Sequence, residues 1–280
     1  MKIFDGCLLV SDVDGTLIDF GKISEYTING IKRFIDNGGR FTFATGRCLD
    51  AVRDLLPMVP INAPLLLTNG VVLYDVENER VVRSVGIGDA EKEILLNIIS
   101  KLDSDIGIEL HSRDIIADMN ITNEVEIHNK YEGLRPVDLT DEEIAKAEWS
   151  KLFFTFEDIK KREVLKKRLI DGGIAESQIM FTNAYLNDGI HNYLEVIPNG
   201  HDKGTGVLAL ADELGIKHEK VFGIGDYYND IPLLKAVGCA GVVAGAPEDI
   251  TCLADFVSCS AAEGAVGKFI DYIEERMLKE

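Results

Sequence analysis

The sequence predicts an α/β protein: a doubly wound parallel sheet whose chain is interrupted by an inserted α+β domain. Three observations carry that expectation. Short continuous apolar runs alternate with longer amphipathic ones in the first third of the chain and again in the last, and each apolar run closes on a polar or glycine cluster. Between them the texture changes to alternating strands and charged helices. Apolar strands separated by helices belong to a parallel sheet covered on both faces.

Residues 7–10 read as a buried strand, and 24–37 as a helix with Ser24 as N-cap and Gly38-Gly39 as its stop. Residues 41–44 are the next strand, 49–56 the next helix and 65–68 a third strand, which completes βαβαβ. From about 82 to 193 the chain carries alternating strands such as Ile106-Gly107-Ile108-Glu109-Leu110-His111 and charged helices such as 160–171. The α/β rhythm then returns, with a helix at 203–214, strands at 221–224 and 241–243, and helices at 231–237 and 266–277. The expected organisation is a Rossmann-like core made of residues 1–81 and 194–280, split around an insert at 82–193. Internal repeats and low-complexity tracts are absent.

Acidic residues outnumber basic ones 48 to 29, a formal net charge of −19, without a Lys/Arg-rich block. That balance argues against nucleic acid or an anionic membrane as the main partner, since both ask for a positive surface. Five cysteines without a Cys-x-x-Cys pair read as free thiols of a reducing compartment. The first residues lack a signal-peptide core, and apolar runs stay short of transmembrane length, so a cytoplasmic location is expected.

In an open parallel sheet, ligands bind at the carboxyl ends of the strands, where strand order reverses. The polar clusters of this chain fall at such ends. Asp12 and Asp14, two apart in Ser11-Asp12-Val13-Asp14-Gly15-Thr16-Leu17, are carboxylates close enough to need a cation or a shared proton; a helix-capping turn is the plain alternative. Thr45-Gly46-Arg47 offers a hydroxyl and backbone N–H groups at a strand-to-helix junction, suited to phosphate oxygens or to capping alone. Asn69-Gly70 follows the third strand. Lys203 opens a helix, where its charge opposes the positive helix end and calls for an anionic partner. In Gly225-Asp226-Tyr227-Tyr228-Asn229-Asp230, hard oxygen donors without His or Cys select Mg2+ over zinc or copper.

The four motifs in this order resemble those of the haloacid dehalogenase-like hydrolase superfamily. The Thr-Gly-Arg form at Thr45, the run Glu195-Val196-Ile197-Pro198-Asn199-Gly200-His201-Asp202-Lys203-Gly204 and the large insert are similar to its Cof-type phosphatases. The resemblance implies that Asp12 attacks phosphorus to form an aspartyl-phosphate and that Asp14 protonates the leaving alcohol, then activates water. It implies Mg2+ at the Asp12 carboxylate, the Asp14 backbone carbonyl and Asp226, with Asp230 or Asn229 ordering the water around the ion. Thr45 and Lys203 would hold the phosphoryl oxygens, with Gly46, Arg47, Asn69 and Asn229 also in the substrate site. The insert would act as a cap that reads a small phosphorylated metabolite such as a sugar phosphate, with His111, Arg113, His191 and Asn192 as possible readers. The chain departs from its relatives at Val243-Ala244-Gly245-Ala246-Pro247 and Thr251, and in its bulky Tyr227-Tyr228 pair. A phosphosugar mutase or a non-catalytic phosphate-ligand sensor on the same scaffold are the competing expectations.

Overall fold

The computed structural model describes residues 2–186 and 189–279. Along the chain, β1 (Leu8–Ser11) leads through α1 (Glu25–Asp36), β2 (Arg40–Phe43) and α2 (Leu49–Val52) to β3 (Leu65–Leu67), β4 (Val72–Asp75) and β5 (Arg80–Ser84). Next come α3 (Asp89–Ile99), β6 (Ile106–Ser112), β7 (Ile115–Asn120), α4 (Asn123–Glu132), α5 (Asp141–Lys146), β8 (Lys151–Phe156), α6 (Ile159–Gly172), β9 (Ile179–Leu186) and β10 (Gly189–Val196). The chain closes with α7 (Lys203–Glu213), β11 (Val221–Gly225), α8 (Ile231–Ala236), β12 (Cys239–Val242), α9 (Glu248–Thr251), β13 (Phe256–Val257) and α10 (Ala265–Met277). It divides into two compact units, one of Met1–Arg47, Val52–Arg83 and Asp202–Glu280, the other of Cys48–Ala51 and Ser84–His201. Among the described residues, no helix is long and apolar enough to cross a membrane.

The first unit is built on a parallel sheet of strand order β13-β12-β11-β1-β2. From β1 the chain moves to β2 on one side, and its returning half starts at β11 on the other. Strand order therefore reverses between β1 and β11, which creates a crevice at their carboxyl ends. All four residues of β1 are buried, the three apolar ones as their run foretells and Ser11 with its hydroxyl donating to the Asp12 carbonyl at 2.6 Å. Leu8, Val10 and Val221 share a core with Val207, Leu210 and Leu233 of α7 and α8, and α1 packs on α10. Ser24 caps α1 as expected, its side chain accepting the Thr27 N–H.

Two sequence expectations shift here. The run at 65–68 lies beside the parallel sheet in the expected direction, through a parallel bridge from Ala44 to Leu66, but its full pairing is antiparallel, in the sheet β3-β4-β5. The chain doubles back after Leu67 through a left-handed turn, so β3 pairs with β4. The helix expected over 49–56 stops at Val52. Pro57 disfavours helical geometry at the residue before it, and the chain advances through turns in which Leu55 N–H donates to Val52 and Met58 N–H to Leu55.

The second unit is an antiparallel sheet of order β7-β6-β8-β10-β9. Its side chains alternate as strands require: Ile108, Leu110, Leu152, Phe154 and Leu194 share one core with α3 and α6. The opposite face carries Glu109, His111, Lys151, Thr155, Tyr193 and Glu195, all of them buried. The polar half of the alternation in β6 is thus covered instead of exposed. His128 of α4 stacks on Phe153 at 4.3 Å. Its Nδ1 lies 2.7 Å from Glu109 Oε1, and His111 Nε2 lies 3.2 Å from Glu109 Oε2. Burial alone would raise Glu109, but the His128 charge and the two imidazole contacts outweigh it and bring the carboxyl down to about 2. Burial, helped by Lys151 and opposed by Glu109, pushes His111 from 6.5 down to about 4.

An unfolded His111 binds a proton that the folded ring refuses, so stability is lost as pH falls from 6.5 towards 4. The loss expected is about 3 kcal/mol. Chemical denaturation across that window measures it; His111→Asn should flatten the slope, and an unchanged slope would take His111 out of the account.

Candidate active site

The backbone carries Asp12 to the crevice. Its N–H donates to the Ile224 carbonyl at 2.8 Å, which extends the β1–β11 ladder one residue beyond β1. The chain then turns at Gly15, whose φ is +82°, and a Cβ there would lie 2.5 Å from Asp226 Oδ2. Conformation and space both demand glycine. Thr16 Oγ1 donates to Asp226 Oδ1 at 2.9 Å and holds that carboxylate beside the first strand.

Lys203 is fully buried at the start of α7. Asp202 caps that helix by accepting the Thr205 N–H at 2.7 Å. The anionic partner that a lysine at a helix start requires comes from across the sheet, where Lys203 Nζ donates to Asp12 Oδ1 at 2.5 Å and to Asp230 Oδ1 at 2.6 Å. Asp230 Oδ2 accepts the N–H groups of Asp226 at 3.0 Å and Tyr227 at 3.3 Å, so Asp230 ties the lysine to the turn that bears Asp226.

Asp12, Asp226 and Asp230 each bring an oxygen within 4.8 Å of the others. Three carboxylates against one ammonium leave two negative charges in a buried place. Burial first, then the Asp230 charge, holds the Asp12 carboxyl well above its ordinary range against the pull of Lys203. The same two causes raise Asp226 to about 6, opposed by the Thr16 hydrogen bond. On Lys203 burial works to lower the ammonium, but Asp12 and Asp230 outweigh it and raise it. A hard divalent cation fits this donor set, which is all oxygen and carries the charge such an ion neutralises.

The other expected site residues divide around this centre. The Asp14 side chain is half exposed and engaged by Arg47 in a two-point pair, Nε to Oδ2 at 2.8 Å and Nη2 to Oδ1 at 2.7 Å. It is therefore directed to Arg47 and stands outside the gathered carboxylates. Thr45 is buried, with Oγ1 accepting the Arg47 N–H at 3.2 Å. Asn69 is buried against Gly46, while Asn229 is exposed in the turn Tyr228–Asp230. The rings of Tyr227 and Tyr228, both about half exposed, meet edge to face at 5.0 Å. His201 Nδ1 lies 2.9 Å from the Asn199 carbonyl of its own loop.

Burial pushes the Cys48 thiol up to about 11, which leaves it inert. His111 and His191 are buried and paired with Glu109 and Glu124. Two residues with clear duties carried no sequence assignment of their own, Thr16 and Asp202. The signal for Thr16 was its place after Asp-x-Asp-Gly, and for Asp202 its place three residues before Thr205 at a helix start.

A buried carboxylate and lysine thus meet among further carboxylates at the switch point of a parallel sheet. The profile of the haloacid dehalogenase-like hydrolases matches residues 9–270, and the chain belongs to that family. Within it, this is a phosphatase of the Cof type. The chain is 25% identical over 291 residues to one 5-amino-6-(5-phospho-D-ribitylamino)uracil phosphatase of Bacillus subtilis, covering 95% of this chain and 97% of that one. It is 27% identical over 242 residues to the HMP-PP phosphatase of an Enterobacter species, covering 85% and 84%. Its fold matches that of a haloalkanoate-superfamily phosphatase from Bacteroides thetaiotaomicron with a TM-score of 0.74, 24% identity and 96% of each chain covered.

Proposed function

We propose that this phosphatase uses Mg2+ and an aspartyl-phosphate on Asp12 to hydrolyse small phosphate monoesters, sugar phosphates or similar phosphorylated metabolites. The observation that carries the reading is the buried Lys203 ammonium braced between the Asp12 and Asp230 carboxylates beside Asp226. Asp12, the Asp14 backbone carbonyl and Asp226 would hold the ion, and Asp230, whose oxygens bond to Lys203 and to the Asp226 and Tyr227 N–H groups, would order the water around it. Bound there, Mg2+ supplies positive charge that lets an anionic ester approach an acidic protein.

In the first step a carboxylate oxygen of Asp12 forms a bond to phosphorus as the ester P–O bond breaks, and Asp14 passes a proton to the departing alcohol oxygen. In the second, Asp14 takes a proton from water, the water oxygen bonds to phosphorus, and the bond to Asp12 breaks to release inorganic phosphate. To carry the proton of the first step the Asp14 carboxyl has to leave its two-point pair with Arg47, since a guanidinium on both oxygens favours the ionised form. Lys203 and the Thr45 hydroxyl offset charge on the phosphoryl oxygens, the main form of catalysis in phosphoryl transfer.

The test is phosphate release from an aryl phosphate, a set of sugar phosphates and 5-amino-6-(5-phospho-D-ribitylamino)uracil, the compound named for the Bacillus subtilis relative. Release is expected with Mg2+, with loss on chelation and recovery on adding Mg2+ back. No release from any of them, or release indifferent to the chelator, would overturn the reading.

A further inference from the structure

Three consecutive residues stand in the left-handed region: Thr68 at φ +52°, Asn69 at +57° and Gly70 at +84°. All three are buried. A β-branched residue such as Thr68 rarely adopts this conformation, and a run of three persists only where the surroundings determine it.

Those surroundings are two segments of the candidate site. On one side, Asn69 N–H donates to the Thr45 carbonyl at 2.8 Å and Thr68 N–H to the Arg47 carbonyl at 2.9 Å. In a trans peptide the carbonyl and the next N–H point in opposite directions. Anchoring the Thr45 carbonyl therefore aims the Gly46 N–H away from the turn. The Asn69 side chain lies alongside, 3.2 Å from where a Gly46 Cβ would be. On the other side the turn meets the start of α7 backbone to backbone. A Cβ on Gly70 would lie 2.6 Å from the Asp202 carbonyl oxygen, and one on Gly206 would lie 2.7 Å from the Gly70 Cα. Neither contact has a flexible side chain that could yield.

We infer that the strained turn Thr68–Gly70 is a positioning element that sets the Thr45–Arg47 loop and the Lys203 helix in one register, and so aligns the phosphate-holding groups with Asp12. The left-handed conformation is what lets two successive N–H groups reach the loop while the Gly70 backbone lies flat on α7. The inference rests on the proposed roles of Thr45 and Lys203.

Gly206→Ala tests it. An alanine inside a helix is ordinarily stabilising relative to glycine, so a loss here reports the contact with Gly70. With an aryl phosphate as substrate, kcat should fall by about 100-fold, the cost of a displacement near 1 Å, with little change in KM. Val207→Ala, which removes core packing from the same helix, should lower the melting temperature and leave kcat nearly unchanged. Hydrogen exchange followed by mass spectrometry gives a readout free of turnover: in Gly206→Ala the segments around Thr45–Arg47 and Thr68–Gly70 should lose protection together with the start of α7. Wild-type kcat in that variant, or exchange changes confined to α7, would overturn the inference. An inactive wild type would instead sink the phosphatase mechanism, and the exchange result would still decide this point. If Gly206→Ala does not fold, Asn69→Gly and Asn69→Val decide it, since glycine keeps the left-handed turn and valine resists it. The valine variant should be at least about tenfold slower than the glycine one, and equal rates would refute the role.

Discussion

Asp12→Asn should abolish turnover and leave the fold intact. The amide has the size of the carboxylate and its oxygen still accepts the Lys203 hydrogen bond, but it has no nucleophilic oxygen to offer phosphorus. A loss of roughly four to six orders of magnitude is expected, the scale on which removal of a covalent nucleophile acts. Stability should hold or rise in the absence of divalent cations, because the change removes one of three gathered carboxylates, two of which bond to a single buried ammonium. Asp14→Asn should behave differently. An aryl leaving group needs no proton, so the first step should give a burst of product and then stall for want of a base. Phosphate release, rapid-quench bursts and thermal melts on the same samples separate these outcomes. Residual turnover near wild type in Asp12→Asn would end the covalent mechanism.

The parts of this architecture that were legible in the sequence are those set by local pattern. The apolar run expected as a strand at 7–10 forms β1 one residue later, at 8–11, Ser24 became an N-cap, and Lys203 announced a partner because a cation at a helix start is unfavourable alone. What the sequence could not show depends on which segments meet. Leu66 bridges Ala44 in parallel as its apolar run foretells, but the antiparallel pairing of Leu65–Leu67 with β4 follows from the turn after it. Asp14 and Asp12 look alike in an Asp-x-Asp pair, and only the position of Arg47 separates a half-exposed, guanidinium-held carboxylate from one buried on Lys203. Similarly, alternation in residues 106–111 marks a strand but does not say what covers its polar face, where Glu109 and His111 are buried and His128 of α4 meets Glu109. Tertiary cover, which a single strand's pattern does not encode, decided that case.

Lys203→Met should be the most destabilising single change in the first unit as well as an inactive enzyme. It keeps the length and apolar stem of the side chain but strands the buried Asp12 and Asp230 carboxylates, which bond to the ammonium at 2.5 and 2.6 Å. Breaking a buried pair by removing one partner costs about 3–5 kcal/mol, most of it the penalty of the charge left behind. The same reasoning predicts a rescue. Adding Asp230→Asn removes one stranded charge, so the double variant should recover part of the lost stability, a coupling visible in a double-mutant cycle. Activity should not return with it, because the ammonium that offsets charge on the phosphoryl group is still missing. Recovery of both would mean that Lys203 only stabilises the fold; recovery of neither would mean that Asp230 is held by its bonds to the Asp226 and Tyr227 N–H groups independently of the lysine. A buried ion pair by itself is weak support for function, since many such pairs could be replaced by apolar residues without loss. What distinguishes this one is that the lysine also engages the carboxylate proposed as nucleophile, so the stability and activity arms of the experiment should part.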